Sequence, residues 1–229
     1  MLSKTRGIVL NFIRYKDTSI IVRIYTEAFG LRTYIVNGVR SSRGKSSKIA
    51  FYQPLTLVDL VVYNHDQRDI HRLSETRCSR TLQSIPFEPA KSCMALFITE
   101  MLVKVLKEEE SNEELFRFIY HSVEMLDMMD SHYQNFHIQF LLKLSSFLGF
   151  GLTSEKEFFG QVHHSPNDEL AKAESVVAAH LLKAPYTEPV SCNRSIRSHL
   201  LELTLDFYRM HIDSLGEIKS LPVLKEVMR

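Results

Sequence analysis

The stretch Lys4–Lys48 carries ten Lys/Arg but only two acids, Asp17 and Glu27, and it carries them on a strand pattern. Thr5–Tyr15 is rich in β-branched and aromatic residues, with Gly7 placed for a bend or bulge. After a turn at Lys16-Asp17-Thr18, Ser19–Thr26 alternates, with Ile20, Val22 and Ile24 on one face and Ile21, Arg23 and Tyr25 on the other. A second turn at Ala28-Phe29-Gly30 leads into Leu31–Val36, where Arg32, Tyr34 and Val36 share a face. The alternation puts Arg23/Tyr25 and Arg32/Tyr34 on outer faces, as a basic and aromatic mixture. Leu57–Tyr63 is almost continuously apolar, as suits a strand buried on both sides or a barrel strand. Ile70–Leu73 adds a short fifth strand. Five strands within about seventy residues suit a small closed barrel, because closure removes exposed edges.

Between the third and fourth strands lies Arg40-Ser41-Ser42-Arg43-Gly44-Lys45-Ser46-Ser47-Lys48, with four cations and no apolar residue. Such a segment buries too little surface to offset its ordering entropy, so it is expected to be mobile. The total charge of +1 hides a strong asymmetry. Residues 1–80 hold fourteen Lys/Arg against six Asp/Glu, or +8; residues 81–229 hold fourteen against twenty-one, or −7. That separation marks a polyanion-facing end and a remainder employed differently.

From Ser74 the period changes. Glu75–Gln83 reads as a short helix stopped by Pro86. Met94, Phe97, Ile98, Met101, Leu102 and Val105 give an amphipathic helix over 90–107. Further helices are expected from Leu115 to about Met129, and from Tyr133 to Phe147 with Gly149 at its end. Thr153–His164 reads as irregular, and a helix capped by Ser165 and opened by Pro166 runs to about Leu182. Ile196–Met210 forms the last long helix, and the tail 218–229 keeps a helical spacing that would dock on the body.

No phosphate-binding glycine loop, metalloprotease helix or nucleophile elbow is present, so no enzyme is expected. The pair His163-His164 lacks a partner at ligand spacing, and Cys192 near His199 has no nucleophile signature around it. Glu108-Glu109-Glu110 reads as a solvated helix end, and Met125–Met129 as gap-filling core. Three scattered cysteines argue for a reducing compartment, and no apolar run approaches a membrane span. A cytoplasmic protein is expected. The basic β-unit points to nucleic acid, since aromatic faces stack unpaired bases and a cationic loop neutralises phosphates. An RNA-binding module and a helical protein-interaction adaptor stay open beside DNA at this point.

The order and spacing of several short motifs resemble the bacterial recombination mediator family RecO. They are Lys4-Thr5-Arg6-Gly7-Ile8-Val9-Leu10, Tyr15–Val22, Tyr25-Thr26-Glu27-Ala28-Phe29-Gly30, the Val39-Arg40 loop, Gln53-Pro54-Leu55, Phe147-Leu148-Gly149-Phe150 and the tail Lys219–Glu226. The resemblance implies an α+β chain, with an N-terminal five-stranded OB-fold barrel over 1–76 and an all-helical C-terminal domain over 77–229. It implies DNA repair and homologous recombination by the RecF pathway: binding of single- and double-stranded DNA, annealing of complementary strands, and recombinase loading with RecR on strands coated by the single-stranded-DNA-binding protein. Many members carry a four-cysteine zinc module after the segment matching Leu148-Gly149-Phe150. Here no cysteine lies between Gly151 and Pro189, so no zinc is expected, and about 151–165 reads as an irregular insertion.

The expected DNA contacts are Arg14, Lys16, Arg23, Tyr25, Arg32, Tyr34, Arg40, Arg43, Lys45 and Lys48. The acidic, apolar-ended tail of the single-stranded-DNA-binding protein would need an apolar groove with a base beside it, supplied by Arg194 or Arg197.

Overall fold

Leu2–Tyr15 (β1), Ser19–Thr26 (β2), Gly30–Val36 (β3), Leu57–Tyr63 (β4) and Ile70–Arg80 (β5) close on themselves in the order β1-β2-β3-β5-β4. This is a computed structural model, and it describes residues 2–39, 48–63, 69–106, 110–162 and 169–228. β1 is long enough to pair along one part with β2 and along another with β4, both antiparallel. The seam is the parallel pairing of Thr33, Tyr34 and Ile35 with Ile70, His71 and Arg72.

The barrel interior holds Val9, Ile20, Val22, Ile24, Tyr34, Val58, Leu60, Val62 and Leu73. Gly7 lies in a tight part of the wall. A Cβ there would sit 2.7 Å from Ile24 Cγ2 and 2.9 Å from Leu60 Cδ1. Gly7→Ala is therefore expected to cost about 1–3 kcal/mol through overpacking. A lower denaturant midpoint at unchanged slope would register it.

The strand β5 corrects one expectation. Glu75–Arg80 is not helical but extends the strand, because the whole of β4 offers it a partner, from Val61↔Glu75 to Leu57↔Arg80. Ser74 is the extra residue of a bulge between Val61 and Val62. The barrel thus ends at Arg80, where the charge split falls.

The helices follow as Pro89–Val105 (α1), Glu113–Met128 (α2), Phe136–Phe147 (α3), Glu155–Gln161 (α4), Glu169–Lys183 (α5), Arg194–His211 (α6) and Leu221–Val227 (α7). Asn112 and Asn193 cap α2 and α6 through their side-chain oxygens. The segment read as irregular contains α4. Ser154 accepts from the Glu157 amide, and the Glu157 carboxylate accepts from the Thr153 amide and hydroxyl. That arrangement resembles a capping box, a signal present in the sequence as Ser154-x-x-Glu157. The expected cap at Ser165 and the pair His163-His164 lie outside the described residues.

One continuous core runs through the helices and reaches the barrel. Ile8, Leu10, Tyr25, Leu55 and Leu57 belong to it together with Phe97, Phe116, Phe140 and Phe207. The helical body therefore covers one part of the barrel's outer surface and leaves the rest to solvent.

Candidate nucleic-acid interface

Register decides which strand residues can meet a ligand. Arg23 pairs with Thr33, Ile24 with Arg32, Val22 with Tyr34 and Tyr25 with Leu31. Directly paired residues share a face, so Arg23 and Arg32 lie on opposite faces. Two expectations are corrected here. Tyr34 points into the barrel and is 1% exposed, with burial raising its phenol pKa. Arg32 alternates with it on the inward side, and its Nε is buried. Tyr25 does face outward, but the helical body covers it. It is 2% exposed, with its ring 6.1 Å from that of Phe116. Neither tyrosine offers a stacking face. Alternation gives the two faces but not which one a second domain covers, and a barrel interior also tolerates a tyrosine.

The remaining expected contacts divide. Arg23 is exposed on the outer face. Arg14 and Lys16 are exposed at the β1–β2 hairpin end, with the Lys16 ammonium 5.3 Å from the Tyr15 ring centroid. Lys48 opens a short 3₁₀ turn, Lys48–Tyr52, which leads back into the barrel. Arg40, Arg43 and Lys45 lie outside the described residues.

The open part of the outer face reads by register as cross-strand rows. One runs Ile13, Ile21, Ile35, Arg72 and Tyr63; its neighbour runs Asn11, Arg23, Thr33 and Ile70. Ile13 is 61% and Ile70 45% exposed. Tyr63 and Arg72 were missed in the sequence. The alternation of Ile70 and Arg72 against His71 and Leu73 is the signal that could have found them.

A second candidate lies in the helical body. His137, Arg194, Arg197, Leu201, Leu224 and Met228 are among the residues lining a groove of about 280 Å³ between α3, α6 and α7. Arg194 is exposed. Arg197 is held in place by donating to Asn135 Oδ1 at 2.9 Å and to the Cys192 carbonyl. His137 is 1% exposed, and no described residue hydrogen-bonds its Nδ1. Burial, with the charge of Arg197 beside it, lowers its pKa to about 3 and keeps the ring neutral.

The segment Gly151–Pro189 holds no cysteine that could serve as a zinc ligand. In the same segment Phe158, Phe159, Ala178 and Leu181 pack into the apolar core. Cys78, Cys93 and Cys192 sit apart, in β5, in α1 and ahead of α6. Among the described residues no three His/Cys/Asp/Glu gather in a way that could hold a metal.

A five-stranded barrel of this strand order belongs to the OB class of binding folds, here joined to a helical body. The family model described as Recombination protein O N terminal matches residues 1–82, and that described as Recombination protein O C terminal matches residues 86–222. The DNA repair protein RecO of Phocaeicola vulgatus is 32% identical over 240 residues, covering 99% of each chain. The proteins of that name from Bacteroides fragilis and Flavobacterium psychrophilum are each 32% identical, again over 99% of each chain. The chain belongs to the RecO family of DNA repair and recombination proteins.

Proposed function

We propose that this chain is a DNA repair and recombination mediator that acts by binding rather than catalysis. Its barrel binds single- and double-stranded DNA and anneals complementary strands; with RecR it helps to load recombinase in the RecF pathway. The observation that carries this reading is the separation of charge onto two structural units. The barrel, ending at Arg80, has +8, and the helical remainder has −7. DNA is thus drawn to one unit while the other is left for protein contacts. Arg14, Lys16 and Arg23 begin the phosphate track, and Arg40, Arg43, Lys45 and Lys48 extend it. Its action is placed in the cytoplasm, where the DNA it repairs lies; no helix among the described residues is long and apolar enough to cross a membrane. With no cysteine between Gly151 and Pro189, this reading includes no zinc.

Binding should fall linearly in log–log with salt. Replacing Arg40, Arg43, Lys45 and Lys48 together by alanine is expected to reduce the slope by up to about four, one per phosphate. Polarisation of a labelled oligonucleotide across a salt series measures this, and an unchanged slope removes the loop from the interface. An annealing assay on complementary strands tests the activity, and matched RNA competitors test the choice of DNA. A RecR pull-down tests that partner.

The helical groove supports a second contact, with the acidic tail of the single-stranded-DNA-binding protein. Arg194 and Arg197 offer charge to carboxylates, and Leu201, Leu224 and Met228 offer an apolar wall.

A further inference from the structure

With Tyr25 and Tyr34 buried, the barrel's outer face needs another ring if it is to stack a base. Tyr63 meets the geometric requirement. It stands directly opposite Arg72 across β4 and β5, and Arg72 in turn stands opposite Ile35 across the parallel seam. Both side chains point outward, because Val62, His71 and Leu73 next to them along the strands are buried. Tyr63 is half-buried and Arg72 exposed. Arg23 occupies the adjacent row, two strands away from Arg72. Strand spacing and a two-residue step put their Cα atoms roughly 12 Å apart, a gap a short extended single strand bridges. On the other side of Tyr63 lies Leu2, and exposed Lys4 follows two residues along β1. Among the described acids nearby, Glu75 stands opposite Val61 on the row of Lys4 and is 3.5 Å from Arg77, and Asp69 precedes Ile70.

We infer that Tyr63 and Arg72 form the barrel's base-stacking station, with a single strand crossing the seam from Arg23 to Lys4. The stack falls to Tyr63, and the guanidinium of Arg72 beside it takes a phosphate. The exposed Ile70 between Arg23 and Arg72 packs against sugars and base faces without reading sequence, so the station accepts any base. Three cations across this face complement a polyanion, which favours nucleic acid over a protein partner on the same row. The inference rests on the DNA-binding reading above.

The chain contains no tryptophan, so Tyr63→Trp introduces a single fluorescent reporter. Titrating that variant with oligothymidine at low salt is expected to quench its emission saturably. The midpoint should match the one from polarisation of the labelled oligonucleotide. Val176→Trp, at an exposed position on α5, should stay unquenched. Tyr63→Ala should weaken binding about tenfold. Arg72→Ala should weaken it about fivefold and lower the salt slope by about one. If the oligonucleotide binds by polarisation while the indole emission of the Tyr63→Trp variant stays unchanged, the station is wrong. The same holds if Tyr63→Ala keeps full affinity, as it would were this row a protein-docking surface. If the unaltered chain binds no oligonucleotide at all, the DNA reading itself falls.

Discussion

Phe116→Ala is expected to destabilise the protein by about 3–5 kcal/mol, the range for removing a fully buried aromatic ring. Phe116, on α2, has no exposed surface and stands where the barrel meets the helical body. Tyr25 packs on it from β2, and the Arg6 guanidinium lies 5.5 Å from its ring centroid and 5.2 Å from that of Tyr120. Arg6 is itself fixed by a forked pair with Glu27, whose hydrogen bonds to the guanidinium hold the carboxyl below its ordinary range. Truncation would open a void bounded by both domains and release the surface that sets their relative orientation. A chemical-denaturation midpoint measures the loss. A loss below about 1 kcal/mol would mean that the ring is not packed as described. Oligonucleotide affinity should fall far less than stability, since the strand track lies on the uncovered part of the barrel.

Asp127→Ala is expected to cost about 3 kcal/mol, because three backbone donors lose one charged acceptor. The carboxylate accepts from the amides of Gln83, Ser84 and Ile85 at 2.8–3.0 Å, so it anchors the linker between barrel and helices to α2. Lys91, fully buried, donates to Ser84 Oγ from the other side and lies 4.9 Å from the Tyr133 ring centroid. Burial alone would raise the Asp127 pKa, but the three amides and the Ser84 hydroxyl outweigh it and the net shift is downward. The folded pKa thus lies below the unfolded one, about 3.9. The stabilisation is complete above about pH 5 and is lost as pH falls through the folded value. Asp127→Ala should therefore be less sensitive to acid than the parent between pH 5 and pH 2, a difference thermal melts across that range would reveal.

The strands and helices were legible wherever one period dominated. β2 shows its buried face in Ile20, Val22 and Ile24, and α6 its stripe from Ile196 to Phe207. Glu75–Arg80 was misread because exposed polar residues carry no period; only the partner strand makes them a strand. The candidate site was less legible. Charge located the unit, since long-range electrostatics depends on composition. It could not tell Arg23 from Arg32, which the pairing of β2 with β3 sets on opposite faces. Nor could it foresee that Phe116 would cover Tyr25 from nearly a hundred positions away. Asp127, bound to amides more than forty positions earlier, has no sequence signature at all.

The short parallel seam has a kinetic consequence. Three residue pairs join β3 to β5, against seven between β2 and β3. The seam is thus the place where the barrel should breathe first, with amide exchange at 33–35 and 70–72 faster than elsewhere in the wall. A strand laid across it would act as a clasp, slowing exchange at those six amides before any other change in shape.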